Sequence, residues 1–438
     1  MAAKFNWYSV TAVGSDAPYD NPKITGETID PIGSGSIAGL ITDETEQQLE
    51  GVNVALSGQM SMSYETDATG TYSFGGLIEG YDYSVTPSLD NNHLNGVSTF
   101  DLVLISKHIL GVKPLDSPYK LIAADVNNSS SITTLDLIQL RKLILSVDTK
   151  FSNNTSWRFV SRDYAFANAA NPWNEQFPEV VNVNNLPTSE LIRDFVAIKV
   201  GDVNGNARAN ALMGTDTRNT AGTLELSVAD AELMTGEEYT IDITAADIAS
   251  VEGYQFTLTY DRSSVELVDI VYGVAQQDNF GVFADQGAIT TSWNGDATSE
   301  DVLFSLVLRA QRDVELSQTL GVSSRLTTAE AYDRTGEVLD VALNFGAGVI
   351  TGAGFEVYQN QPNPFKDQTL ISFSLPEASS AMIKISDING RVLKVINGDY
   401  AKGYNELRLD KGDLPAGVLT YTVETKEDAA TKKMISVK

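Results

Sequence analysis

The sequence contains no cysteine. Disulfides, zinc–thiolate sites and cysteine nucleophiles are excluded, so small modules must draw stability from elsewhere, bound metal being one source. Histidine is nearly absent: only His93 and His108 occur. No uninterrupted apolar run of about 18 residues exists to span a membrane. No Gly-x-Ser-x-Gly elbow or phosphate-binding loop ending in Gly-Lys-Ser/Thr appears, and no carboxylate pair stands out for glycoside hydrolysis. Enzyme activity is not expected. Positive charge is scarce too: 30 Lys and Arg face 58 Asp and Glu, a net charge of −28. Such acidity disfavours nucleic acid and anionic membrane and suits solubility and cation binding.

The acidity is uneven. From Glu356 to Lys438 there are 11 acidic and 11 basic residues, so the whole deficit lies upstream and a boundary falls near 356. At 438 residues the chain suits three or four domains. The expected class is mainly β: several sandwich modules in tandem with one small α-helical loop–helix module of EF-hand type.

Residues 1–33 read as the last strand of a preceding module (Trp7, Tyr8, Val10) and a linker punctuated by Pro18, Pro22 and Pro31. Met1–Asp20 has no apolar h-region, so it is not a signal peptide. Over 34–88, alternation at Leu49, Val52, Val54 and Leu56, the turn Asp67–Gly70, and then Tyr72 and Phe74 predict half-buried antiparallel strands. This stretch resembles the carboxypeptidase-regulatory-like, prealbumin-type sandwich, a stalk module that carries no chemistry.

Residues 97–111 and 132–146 repeat one another at an offset of 35, with six of fifteen positions identical, Asp101/Asp136 and Lys107/Lys142 among them. Leu102, Ile105 and Ile109, and Leu137, Leu140 and Ile144, have helical spacing, so each copy is a loop followed by a helix. The loop spacing is that of calcium coordination, with side-chain oxygens at positions 1, 3, 5, 9 and 12 and a carbonyl at 7. The second loop offers Asp125, Asn127, Ser129, Thr133 and Asp136, with the Ser131 carbonyl. The first offers Asp90, Asn92, Ser98 and Asp101, with the Gly96 carbonyl, but Leu94 stands at position 5 and cannot ligate. The same residues also suit Asx-turns that cap the helices without metal.

Duplicated loop–helix units with Asp at position 12 resemble the dockerin family, over about 89–147. That resemblance implies Ca2+ and docking onto a cohesin. The partner would be read by Thr99, Phe100, Lys107 and His108 and by Thr134, Leu135, Arg141 and Lys142; Phe100 and Leu135 depart from the family's small hydroxyl residues. Residues 148–210 exceed a minimal dockerin. They are read as an aromatic extension, expected to pack against the helices rather than form a carbohydrate platform. Asp202, Asn204 and Asn206 begin a third loop that is incomplete, because its twelfth position is Met213.

Over 222–350, alternation at Leu224/Leu226/Val228, Tyr239/Ile241/Ile243, Phe256/Leu258/Tyr260 and Phe304/Leu306/Leu308 predicts another sandwich. The stretches GYQFTLTYDRSSVELV and ITTSWNGDATSEDVLFSLVLRA resemble the cohesin family, whose members bind dockerins through a sheet face.

The tail carries several motifs in order: Gln361-Pro-Asn-Pro-Phe365, the strand Ile371–Leu375, Asp387-Ile-Asn-Gly-Arg391, Leu414-Pro-Ala-Gly417 and Lys432-Lys-Met-Ile435. This order resembles the type A C-terminal sorting domain of type IX secretion, over 356–438. It implies contact with the type IX machinery, translocation to the outer-membrane cell surface of a Gram-negative bacterium, and removal of the domain in the linker Thr351, Gly352, Ala353 and Gly354. An exported chain without a leader in its first residues is expected to begin further upstream. Together these readings predict a non-catalytic structural or adhesive surface protein, an adhesin whose helical and sandwich modules pair in cis or between chains, the latter giving an oligomer or filament. The alternative is the non-catalytic tail of a secreted polysaccharide- or protein-degrading hydrolase.

Overall fold

The computed structural model describes residues 34–209 and 220–346, and most of 350–437. The strand and linker read in 1–33 lie outside the described residues. Strands dominate, in several separate sheets, with three short helices between the fifth and sixth strands.

The first sandwich forms as its alternation dictates. Ser34–Thr42 pairs antiparallel with Thr71–Ile78, placing Ile37 opposite Phe74. Asn53–Gly58 pairs with both Met62–Glu65 and Tyr83–Ser88 in the facing sheet. Ile37, Ile41, Tyr72, Phe74, Tyr83 and Val85 fill the space between.

The boundary drawn at residue 88 differs from what is observed. Phe195–Lys199 runs parallel to Ser34–Thr42 and antiparallel to Trp157–Ser161, while Val181–Val183 extends the facing sheet alongside Tyr83–Ser88. The supposed extension thus completes the first sandwich. Trp157, Phe159 and Phe195 lie in its core, and the helices are an insertion within it. The remaining aromatics follow the expectation: Phe151, Tyr164, Phe166, Trp173 and Phe177 pack with the helices.

Helices α1 (Thr99–Ile109) and α3 (Thr134–Ile144) each begin with a capping box, Ser98 with Asp101 and Thr133 with Asp136. Between them Ser117 caps α2 (Pro118–Ala124), whose Pro118 occupies the first turn, where a missing N–H costs nothing. Leu102, Ile105, Leu140, Leu143 and Ile144 bury the shared face.

The second sandwich spans Thr223–Val228 to Val338–Asn344. All four predicted strands are present, as Thr223–Val228, Glu238–Thr244, Val251–Tyr260 and Phe304–Ala310. The strand Ala288–Asn294 is unusual in burying polar side chains on both of its faces, Thr290 and Ser292 on one and Thr291 on the other. The C-terminal module is a third sandwich. Gln368–Leu375 pairs with Gly403–Asp410, and a four-stranded sheet runs from Val392–Tyr400 through Ser379–Asp387 and Gly417–Glu424 to Ala429–Ser436. Phe365, Ile371, Phe373, Ile383, Tyr421 and Met434 form its core.

Candidate metal loops and module interface

The loop before α3 closes on two carboxylates. Asp125 Oδ1 accepts the N–H of Ser129 at 2.8 Å, and its Oδ2 accepts that of Ser130 at 2.8 Å. Asp136 Oδ1 accepts the N–H of Asn127 at 3.1 Å, and its Oδ2 that of Thr133 at 2.8 Å. Ser130 takes the left-handed backbone (φ 64°) that position 6 requires. Both carboxylates are fully buried, and burial pushes the Asp125 carboxyl above its usual range, the nearby Asp136 charge adding to the effect. Arg158, whose charge opposes that rise, is engaged by Glu179 at 2.9 Å.

The loop before α1 is assembled from two distant segments. Asp101 Oδ1 accepts the N–H groups of Val203 at 2.9 Å and Asn204 at 3.3 Å, and its Oδ2 accepts that of Ser98 at 2.9 Å. Asp202 plays the part that Asp125 plays: its Oδ1 accepts from Gly205 at 2.7 Å and its Oδ2 from Ala207 at 2.8 Å. Asn95 and Arg208 bond reciprocally, each at 2.9 Å, which joins the two half-loops. Asp101 thus stands to the segment Asp202–Ala207 as Asp136 stands to Asp125–Ser130, while Met213, the twelfth residue counted along the chain, lies outside the described residues. Asp90 is engaged elsewhere, accepting from Ser156 N–H at 2.8 Å and standing 3.1 Å from His93 Nε2. Asn92 adopts a left-handed turn (φ 42°), and Leu94 is partly exposed. The signal that reveals this arrangement is the recurrence of Asp-Val-Asn at 125–127 and 202–204.

Burial and then the Asp202 charge raise the Asp101 carboxyl well above its usual range, and burial raises Asp202. Lys199 lies beneath, buried and donating to the carbonyls of His93 at 2.8 Å and Val200 at 3.1 Å; burial pulls its ammonium down to about 7. Among the described residues no cluster of three or more His, Cys, Asp or Glu is poised for a metal. A cation here would be held by two carboxylates per loop, with amide, hydroxyl and carbonyl oxygens. That donor set suits a hard cation. A further observation fits: Asn127 Oδ1, at position 3 of the second loop, is buried without a hydrogen-bond partner.

The two helices dock on the second sandwich within the same chain. Thr99 donates its N–H to Gln255 Oε1 at 2.6 Å, and its hydroxyl bonds Ser292 Oγ at 2.7 Å. Phe100 stacks on Tyr332 with ring centroids 5.3 Å apart. Lys107 Nζ meets Glu252 at 2.7 Å, and Arg141 bonds Asn294 Oδ1 at 2.5 Å. The sandwich also supplies what helix ends lack: Thr327 and Thr290 donate hydroxyls to the Ile144 and Leu145 carbonyls at 2.6 and 2.7 Å, at the end of α3. Of the residues expected to read a partner, Thr99, Phe100, Lys107 and Arg141 are thus brought to the sandwich. His108 instead accepts the Leu115 N–H at 3.1 Å through Nδ1, and Thr134, Leu135 and Lys142 are exposed.

The processing linker is described only at Thr351, which pairs with Leu343 on the edge of the second sandwich; Gly352, Ala353 and Gly354 lie outside the described residues. Beyond it, residues 357–438 match the family described as the secretion system C-terminal sorting domain. The C-terminal module is a type IX secretion sorting domain. A protein with this sorting domain is a secreted one, and it is handled by the type IX machinery. No curated protein matches the chain. Structural neighbours include a type I cohesin–dockerin complex of Clostridium thermocellum (14% identity over 29% of this chain and 92% of that one, TM-score 0.24). A type II cohesin from the cellulosome of Acetivibrio cellulolyticus is another (11%, 30% and 95%, 0.23). A third is a non-cellulosomal cohesin of the archaeon Archaeoglobus fulgidus (16%, 28% and 86%, 0.21). No helix among the described residues is long and apolar enough to cross a membrane.

Proposed function

We propose that residues 34–345 are the non-catalytic, calcium-stiffened base of a surface stalk or adhesin, carried to the outer-membrane surface by the sorting domain behind them. The observation that carries this reading is the docking of α1 and α3 onto the second sandwich, which locks two modules into one support. In this reading the helical insertion is a dockerin-like module, the second sandwich a cohesin-like one, and the first a carboxypeptidase-regulatory-like stalk. Calcium ions are held by Asp125, Asn127, Ser129, Thr133 and Asp136 with the Ser131 carbonyl, and by Asp202, Asn204, Asn206, Ser98 and Asp101 with the Gly96 carbonyl. Each ion supplies the positive charge that two buried carboxylates call for. Calcium titration of the full chain by calorimetry tests the reading. Two sites with a raised unfolding midpoint are expected. Heat-neutral titration with an unchanged midpoint would falsify the calcium assignment, and a catalytic domain encoded in the same gene would favour a hydrolase tail.

A further inference from the structure

We propose that the cavity between the first sandwich and α2 is a binding site for one neutral sugar unit, a pyranose ring of a glycan. This site is separate from the metal loops and from the face on which α1 and α3 dock.

The cavity has a volume of about 180 Å³, below the range of sites for drug-sized ligands and suited to a single ring. Its floor comes from the sheet. Trp157 stands opposite Lys199 where Trp157–Ser161 pairs with Phe195–Lys199, and Ala197 lies two residues along, so the three share one face. Tyr119 and Ala123 of α2 form one wall, the turn Asp43–Thr45 a second, and Asp202, Gly205 and Ala207 a third. The Tyr119 ring is held edge-on by Phe166, with centroids 5.5 Å apart.

The polar groups of this cavity have capacity to spare. Trp157 is only 4% exposed, yet its indole N–H donates to no group among the described residues. A buried indole N–H ordinarily finds an acceptor. The Tyr119 hydroxyl likewise donates to none of them. On the turn, Asp43 Oδ1 accepts the N–H groups of Thr45 and Gln47 at 2.8 and 2.9 Å, which leaves its Oδ2 open. The Glu44 carboxylate accepts from none of the described residues.

A fitting ligand therefore offers an acceptor to the indole and donors to two carboxylates. It also offers apolar surface, because apolar atoms make up most of the lining. A simple ammonium would satisfy the carboxylates and leave the indole unpaired. A simple anion would satisfy the indole and be repelled by the carboxylates. A pyranose meets all three demands, since its hydroxyls both donate and accept and its C–H faces lie against aromatic rings.

Titration calorimetry of the full chain, in calcium-containing buffer, tests the assignment. The probes are glucose, galactose, mannose and N-acetylglucosamine, with butylamine and acetate as the charged comparisons. At least one sugar is expected to bind with a dissociation constant of about millimolar. Glu44→Ala, at an exposed position, and Tyr119→Phe should each weaken it about tenfold. Trp157→Phe keeps a ring, removes the donor and should weaken it at least as much, with circular dichroism reporting its fold. Sugar binding that is unchanged in Glu44→Ala and Tyr119→Phe lies elsewhere and overturns the site. Binding of butylamine or acetate in place of every sugar overturns the ligand class, and no binding of any probe overturns the proposal. Calcium titration of Glu44→Ala should match that of the unaltered chain, so failure here leaves the metal reading standing.

Discussion

Asp101 accepts a hydrogen bond from the backbone of Val203 at 2.9 Å although the two residues lie 102 positions apart. The loop that caps α1 is therefore closed by the segment that leaves the first sandwich. Ligand substitutions should divide accordingly. Asp202→Ala and Asp101→Ala are expected to remove one calcium site and Asp125→Ala the other, each lowering the unfolding midpoint by several degrees. Asp90→Ala, whose carboxylate serves Ser156 and His93, should leave both sites intact. Calorimetric stoichiometry distinguishes these outcomes, and loss of a site in Asp90→Ala would restore a contiguous first loop.

The pH dependence of the metal-free chain carries a sign. Burial raises Asp101, Asp125 and Asp202 above their usual range. A carboxyl raised in the folded state contributes stability that is fully present below its unfolded pKa and is lost as pH rises through the folded one. Chelated protein should therefore unfold at a higher temperature near pH 5 than near pH 7. Calcium-loaded protein should show the reverse, because protons and metal compete for the same oxygens. Lys199, brought down to about 7 from 10.5, works in another window. Its folded form binds fewer protons than the unfolded chain above about 7, so its contribution grows from there toward 10. Scanning calorimetry at these pH values, with and without chelator, checks both signs.

Much of this was legible because it is local. The capped helices follow from Ser98 and Thr133 three residues before Asp101 and Asp136, and the strands of the second sandwich follow from alternation. Pairing across the chain was not. Phe195–Lys199 reads as an apolar strand, but no local feature of it specifies Ser34–Thr42 as its neighbour. The split loop escaped for the same reason: counting along the chain from Asp202 leads to Met213, whereas the fold leads to Asp101. The burial of the Thr290 and Ser292 hydroxyls was not legible either, because it becomes intelligible only once the helix ends they meet, at Leu145 and Thr99, are in place.

The interface should respond to its aromatic contact and its caps differently. Phe100→Ala removes the stack on Tyr332, at a cost of about 1–2 kcal/mol to docking. Gly336→Ala acts on the same contact from the other side, since its Cβ would lie 2.7 Å from the Phe100 ring and its φ of +88° disfavours any side chain. Both should raise the radius of gyration in small-angle scattering while calcium binding persists. Thr290→Val and Thr327→Val leave the last carbonyls of α3 unpaired and should cost about 1 kcal/mol each. An unchanged scattering profile across all four variants would mean that the modules are held by something other than this face.

Export gives the last expectation. The sorting domain has its own core, and Tyr421 ties its start to its end: the ring is buried among Ile371, Phe373 and Ile383, and its hydroxyl accepts the Asn360 N–H at 2.8 Å. Residues 356–438 appended to a passenger with a signal peptide should carry it to the surface of a host with the type IX machinery, with cleavage in the segment Thr351–Gly354 that precedes the folded domain. Tyr421→Ala opens a cavity in that core, a loss of about 3–5 kcal/mol, which is enough to unfold a module of this size. If the machinery reads the folded sandwich, the Tyr421→Ala passenger should remain in the periplasm, whereas Tyr421→Phe, which loses only the hydroxyl, should still be exported. Passenger at the surface in the absence of residues 356–438 would sever the tail from export altogether. Equal export of both tyrosine variants would shift recognition from the folded domain to the extended sequence around Lys432–Ile435.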